Sequence, residues 1–76
     1  PILMIDDIIA YGGTMINSAK ALKEQGVGNI YAYATHVENS ILSTERPTLA
    51  SDKNVKMIYT TDSLYNGTHE KIEVID

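Results

Sequence analysis

Two adjacent aspartates, a pair of glycines and a threonine stand close together near the start of the chain, between Asp6 and Thr14. Neighbouring carboxylates suit the vicinal hydroxyls of a sugar or a hydrated Mg²⁺. Adjacent glycines let a backbone fold close around a ligand, and the amides at a following helix N-terminus favour an anion such as phosphate. The segment therefore has an acidic end and an anion-binding end, a polarity that fits ribose 5-phosphate.

A simpler interpretation is that Asp6 and Asp7 end a strand while Gly12 and Gly13 mark an ordinary turn. Each residue taken singly fits this interpretation as well as the functional one. The combination of all these residue types within one short segment favours a ligand site. If Gly13 lies where the backbone approaches the ligand closely, we expect valine there to block binding.

The segment from Asp6 to Thr14 lies between a predicted strand and a predicted helix. Ile2 to Ile5 is an apolar run ended by the two aspartates, which is typical of a strand covered on both faces in a parallel sheet. Thr14 is the predicted N-cap of a helix that ends at Gly26 in a left-handed conformation. The residues of one apolar helical stripe are Met15, Ile16, Ala19 and Leu22.

A second strand is predicted from Ile30 to Ala34, with its tyrosines on one face and its Ile and Ala residues on the other. Strand, helix and strand in this order form a βαβ unit with parallel strands. The segment from Asp6 to Thr14 then lies at the carboxyl edge of the sheet, where ligands bind in open α/β folds.

The second half of the chain has weaker signals. Residues 40–51 show loosely helical spacing, with Pro47 best placed near a helix start. Strands are predicted from Val55 to Thr60 and from Lys71 to Ile75, with a turn-rich loop from Asp62 to His69 between them. Without a repeat or a linker, residues 1–76 are expected to form a single α/β domain.

Composition narrows the functional classes. The chain has 76 residues, of which 43% are hydrophobic and 21% charged, the balance of a globular protein with a thin core. The absence of cysteine fits a cytoplasmic location, and no apolar run is long enough for a membrane helix. A net charge of −4 argues against nucleic-acid binding. The start at Pro1 in a buried-looking strand predicts a fragment of a longer protein, supported by neighbouring segments or by a homo-oligomer contact.

The stretch from Ile2 to Thr14, ILMIDDIIAYGGT, resembles the signature of type I phosphoribosyltransferases and ribose-phosphate pyrophosphokinases. Three further stretches resemble the pyrophosphokinase branch, and the similarity covers nearly the whole chain. They are Ala19 to Gly26, Ile30 to His36 and His69 to Asp76. The resemblance implies part of a three-layer phosphoribosyltransferase-like fold with a mainly parallel sheet, taken from the C-terminal portion of the enzyme.

The resemblance also implies roles for the site. Asp6 and Asp7 would hold the ribose hydroxyls, with Mg²⁺, and the backbone of residues 10–14 would wrap the 5-phosphate. The family reaction transfers diphosphate from ATP to ribose 5-phosphate and gives phosphoribosyl pyrophosphate. ATP would bind through segments outside this chain, so the 76 residues alone are expected to be inactive.

Two positions depart from the family pattern. Ala10 stands where these families often have Asp or Ser, and Tyr11 stands where Thr is common. An acid at the first position can help to activate the base in transferases, so Ala10 argues against a transferase that uses phosphoribosyl pyrophosphate. Ala10 can contact a ligand only through its backbone. Tyr11 is expected to make the phosphate pocket tighter.

Such a transferase stays an alternative, although Ala10 weakens it, and two further alternatives remain from the sequence. A phosphotransfer receiver domain also begins with a strand that runs into paired acids, with Asp62 as its possible phosphorylation site, but it needs more strand-helix units than this chain supplies. A non-catalytic homologue would keep the fold and contribute only subunit contacts. His36 and His69 are interpreted as structural, because no further His or Cys stands at metal-binding spacing.

Overall fold

The computed structural model describes residues 1–61 and 69–75. Within them, four strands form one sheet in the order β1-β2-β3-β4, and every neighbouring pair is parallel. The strands are β1 Ile2–Ile9, β2 Ile30–Val37, β3 Met57–Thr60 and β4 Ile72–Val74, and the helix α1 Gly13–Glu24 connects β1 to β2. The α/β fold with a parallel βαβ unit is therefore confirmed.

The core lies between α1 and one face of the sheet. Ile30, Ala32 and Ala34 of β2 are fully buried, and Met15 and Ala19 of the helix belong to the same apolar cluster. Ile16 and Leu22 are partly buried against this cluster, so the helical stripe is confirmed. The tyrosines of β2 lie on the other face, as the alternation of residue types predicts.

The opposite face of the sheet is open. Leu3 is 54% exposed and Ile5 is 70% exposed, so the prediction that the first strand is covered on both faces is wrong for the part of the chain that the structure describes. Their neighbours on this face are Tyr31 and Tyr33, which pair with them in register. The described residues thus form two of the three layers that the family resemblance implies.

The entry into α1 differs from the prediction at one position. The N-cap is Gly12, which has φ 85° and ψ 25°, and the helix begins at Gly13. Thr14 is therefore inside the helix, and the prediction that it is the N-cap is wrong. A left-handed residue turns the chain sharply into the helix, and glycine has this conformation without steric cost. At the other end, Gly26 has φ 84°, which confirms its predicted role.

The segment between β2 and β3 contains two short 3₁₀ helices, Asn39–Leu42 and Leu49–Ser51. Pro47 precedes the second one, close to the predicted helix start. The strands predicted from Val55 to Thr60 and from Lys71 to Ile75 are present but shorter, as β3 and β4. Most of the predicted turn-rich loop, residues 62–68, lies outside the described residues. Among the helices that the structure describes, none is long and apolar enough to cross a membrane.

Candidate functional site

A cavity of about 320 Å³ lies at the carboxyl end of β1, where the sequence predicts a binding site. The connection between β1 and α1 forms one side of it, at the edge where parallel sheets bind ligands. The cavity brings together most of the predicted site residues with several unpredicted ones. Its lining residues are Asp6, Ile8, Ile9, Ala10, Tyr11, Gly12, Gly13, Thr14, Met15 and Arg46.

The connecting loop is fixed by backbone contacts to distant segments. Leu49 N–H donates to the carbonyl of Tyr11 at 2.7 Å, and Glu38 N–H donates to the carbonyl of Ile9 at 2.8 Å. At Gly12 the backbone passes so close to Leu49 that an added Cβ would lie 2.5 Å from the Leu49 Cβ. The loop therefore has a defined shape that depends on glycine at this position.

The N-terminus of α1 contributes amide donors to the cavity. The first helical hydrogen bond is donated by Ile16 N–H to the carbonyl of Gly12 at 2.8 Å. The amides of Gly13, Thr14 and Met15 precede this bond, and no side chain caps the helix. With the positive end of the helix dipole, these amides favour an anion in the cavity.

The two aspartates are separated by the geometry of the strand. Both lie within β1, which continues to Ile9, so the prediction that they end the first strand is wrong. Successive side chains of a strand point to opposite faces, and only Asp6 lines the cavity. Asp6 Oδ1 accepts a hydrogen bond from Asp7 N–H at 2.7 Å. The cavity thus contains one of the two predicted carboxylates.

Arg46 is the charged residue of this cavity that the sequence did not predict. It lies in the segment between the two 3₁₀ helices, and its guanidinium carbon is 4.0 Å from the centroid of the Tyr11 ring. It is the only arginine in the sequence. The available signal was a lone cation in a loop that follows the carboxyl end of a second parallel strand, since such loops meet at one edge of the sheet.

The other titratable residues with predicted roles lie elsewhere. His69 Nδ1 accepts a hydrogen bond from Lys71 N–H at 3.0 Å, a structural contact next to β4. Burial lowers the pKa of the Lys71 amine, while the carboxylates of Asp52 and Glu70 act in the opposite direction. Neither His69 nor Lys71 lines the cavity beside α1, and neither does His36 of β2. Asp62 lies outside the described residues.

A parallel four-stranded sheet whose first strand leads through a glycine-containing loop into a helix is a partial phosphoribosyltransferase-like α/β fold. No family model matches the chain. Individual curated proteins do match it: as its signature residues predict, the chain is similar to a segment of ribose-phosphate pyrophosphokinases.

Three relatives show the extent of the match. The ribose-phosphate pyrophosphokinase of Methanopyrus kandleri is 36% identical over 73 residues, which are 96% of this chain and 24% of the relative. Ribose-phosphate pyrophosphokinase 2 of Enterococcus faecalis is 36% identical over 97% of this chain and 22% of its own length. The ribose-phosphate pyrophosphokinase of Haemophilus influenzae is 39% identical over 82% of this chain and 19% of its own length. The chain thus spans about a quarter or less of these relatives.

Proposed function

We propose that this chain is the part of a ribose-phosphate pyrophosphokinase that binds ribose 5-phosphate. The 5-phosphate binds against the amides at the start of α1 and the backbone of residues 10–14, and the ribose hydroxyls bind toward Asp6. The assignment of Asp7 to the same ligand stays a prediction. The observation that carries the proposal is that Asp6 and the first three residues of α1, whose amides have no acceptor within the helix, line the same cavity.

The polarity of the cavity favours a sugar phosphate over a free sugar or a free phosphate. A carboxylate repels an anion but accepts hydrogen bonds from hydroxyls, whereas helix-terminal amides attract an anion and offer little to a sugar ring. Asp6 and the amides of α1 line the same cavity, so a ligand with hydroxyls at one end and phosphate at the other satisfies both. Ala10 in the loop offers no acid to a nucleobase, which favours the pyrophosphokinase over the transferase.

Mg²⁺ fits this donor set only as a largely hydrated ion. Within residues 1–61 and 69–75, no group of three or more His, Cys, Asp or Glu side chains could hold a metal. Mg²⁺ commonly keeps several waters and binds through one or two carboxylates together with substrate oxygens. Asp6 would supply such a carboxylate, and Mg²⁺ bound there would neutralise charge on the substrate oxygens.

The remaining parts of the activity belong to the whole protein. ATP as diphosphate donor, binding through other segments, is part of the proposal, as are a cytoplasmic location and a homo-oligomeric assembly. The names of the relatives support the substrates, since a ribose-phosphate pyrophosphokinase acts on a ribose phosphate.

The test compares three acid-to-amide substitutions in the protein that contains this chain. Asp6→Asn is expected to raise the KM for ribose 5-phosphate about tenfold or to abolish turnover, because the amide loses charge-assisted hydrogen bonds to the hydroxyls. Asp7→Asn tests the neighbouring carboxylate, and Glu73→Gln on β4 is the matched control for the loss of one negative charge. AMP release from ATP and ribose 5-phosphate measures turnover.

Thermal unfolding of each variant separates binding from stability. We expect the Asp6→Asn protein to unfold close to the wild-type temperature, because the side chain is exposed. Wild-type kinetics in both aspartate variants would contradict the proposal. The two aspartates would then have only a structural role in the strand.

A further inference from the structure

The proposed phosphate loop contains no basic residue of its own. From Asp6 to Thr14 the sequence has neither Lys nor Arg, and the Asp6 carboxylate lies in the same cavity. A phosphate dianion placed there is attracted by amide dipoles and repelled by the carboxylate. A cation in the cavity would resolve this conflict, and among the described residues that line it Arg46 is the one with a positive charge.

The position of Arg46 suits a phosphate ligand. Its guanidinium carbon lies 4.0 Å from the centroid of the Tyr11 ring. This cation–π contact holds the guanidinium over the ring. A guanidinium has several N–H donors in a fixed fork, two of which can bind two phosphate oxygens together, whereas a lysine ammonium has no such planar fork. The contact with Tyr11 therefore positions Arg46 at the cavity, where its donors can reach a phosphate.

The segment that carries Arg46 is attached to the loop itself. Leu49 N–H donates to the carbonyl of Tyr11 at 2.7 Å, so Tyr11 and the segment are linked through the backbone. Nearby, the buried Thr48 hydroxyl donates to the carbonyl of Ile41 at 2.7 Å. Arg46 thus extends from a segment that is fixed two and three residues further along the chain.

We propose that Arg46, oriented by the Tyr11 ring, binds the phosphate group of the sugar ligand and sets the preference for a phosphorylated over a free sugar, an inference that rests on the proposed function. It gives a role to Tyr11, which stands where the resembling families commonly have Thr. The Tyr11 ring takes the place of a small hydroxyl side chain and contacts the positively charged Arg46 from a distant segment.

The test is an NMR titration of the protein with ribose 5-phosphate and, separately, with ribose. Arg46→Gln is expected to raise the Kd for ribose 5-phosphate about tenfold or more, because a charge-assisted pair of hydrogen bonds is lost, and to leave the Kd for ribose unchanged. Arg46→Lys should recover part of the affinity, since it keeps the charge but loses the paired N–H donors. Tyr11→Leu should weaken ribose 5-phosphate binding while the charge is intact.

Lys53→Gln is the matched control, because it removes one positive charge from an exposed residue that does not line the cavity. It should leave both affinities within about twofold of wild type. Unchanged ribose 5-phosphate affinity in Arg46→Gln would overturn the role of Arg46 and leave the proposed function standing. An equal loss for ribose and ribose 5-phosphate would also overturn it, by showing a structural role. A wild-type protein that binds no ribose 5-phosphate would overturn the proposed function itself.

Discussion

Gly12 and Gly13 are adjacent in the sequence but differ in what the structure requires of them. Gly12 has a φ of 85°, and a Cβ added there would lie 2.5 Å from the Leu49 Cβ. Gly13 has no positive φ, and a Cβ there would meet no atom within 4 Å. The fold therefore requires glycine at position 12 and not at position 13. The expectation that valine at position 13 blocks ligand binding stays a prediction.

We expect Gly12→Ala to lower the free energy of unfolding by about 2 kcal/mol or more, because it combines a strained backbone with a contact to Leu49 that cannot relax easily. Gly13→Ala should be neutral or raise the free energy of unfolding by up to about 0.5–1 kcal/mol, since alanine is favoured over glycine within a helix. Urea unfolding followed by circular dichroism measures both. Equal stabilities of the two variants would show that the left-handed turn is not needed.

At the scale of elements, the sequence patterns predicted features that depend on neighbouring residues and missed contacts between segments far apart in the chain. The alternation in β2, the helical stripe of α1 and the left-handed Gly26 all follow from neighbouring residues, and the structure has them. The contact of Tyr11 with Arg46 joins residues far apart in the chain, which no local pattern encodes. The end of β1 was misplaced for the same reason, because pairing with β2 extends the strand past Asp6 and Asp7 to Ile9.

The segment between β2 and β3 carries the unpredicted part of the site, and its shape depends on Thr48. The Thr48 hydroxyl is buried and donates to the carbonyl of Ile41 at 2.7 Å. The Thr48 backbone exchanges hydrogen bonds with the hydroxyl of Ser51, both at 3.0 Å. The bond to Ile41 connects the two 3₁₀ helices, and the bonds with Ser51 close the first turn of the second one.

We expect Thr48→Val to lower the free energy of unfolding by about 1–3 kcal/mol, because the similar shape fills the space while the Ile41 carbonyl loses a buried donor. Thr44→Val is the matched control, since Thr44 is exposed in the same segment and should change stability by less than about 0.5 kcal/mol. Chemical denaturation of the two variants measures the difference. A Thr48→Val protein as stable as the control would show that the segment is held by its apolar contacts alone.

At the scale of the whole molecule, the two faces of the sheet are unequal. One face is packed by α1, and its central residues in β2 and β3 are fully buried. The other presents a sheet-face patch, which we define as Leu3, Ile5, Tyr31, Tyr33, Tyr59 and Ile75. The rings of Tyr31 and Tyr59 lie 6.4 Å apart between centroids, so the patch is continuous across neighbouring strands. A contiguous apolar surface of this kind is typical of an interaction site.

We therefore expect the 76-residue chain to bind an apolar fluorescent dye such as anilinonaphthalene sulfonate in its native state, at the sheet-face patch. Replacing Leu3 and Ile5 together by Thr should reduce the dye fluorescence, because threonine keeps the strand preference and shrinks the two most exposed apolar side chains of the patch. Val74→Thr is the control: Val74 is 44% exposed but pairs with the buried Thr60, which places it on the opposite face. This control should leave the fluorescence unchanged. Equal fluorescence from the double variant and the wild type, with both folded by circular dichroism, would show that the dye binds elsewhere and that the patch is not the dominant apolar surface of the chain.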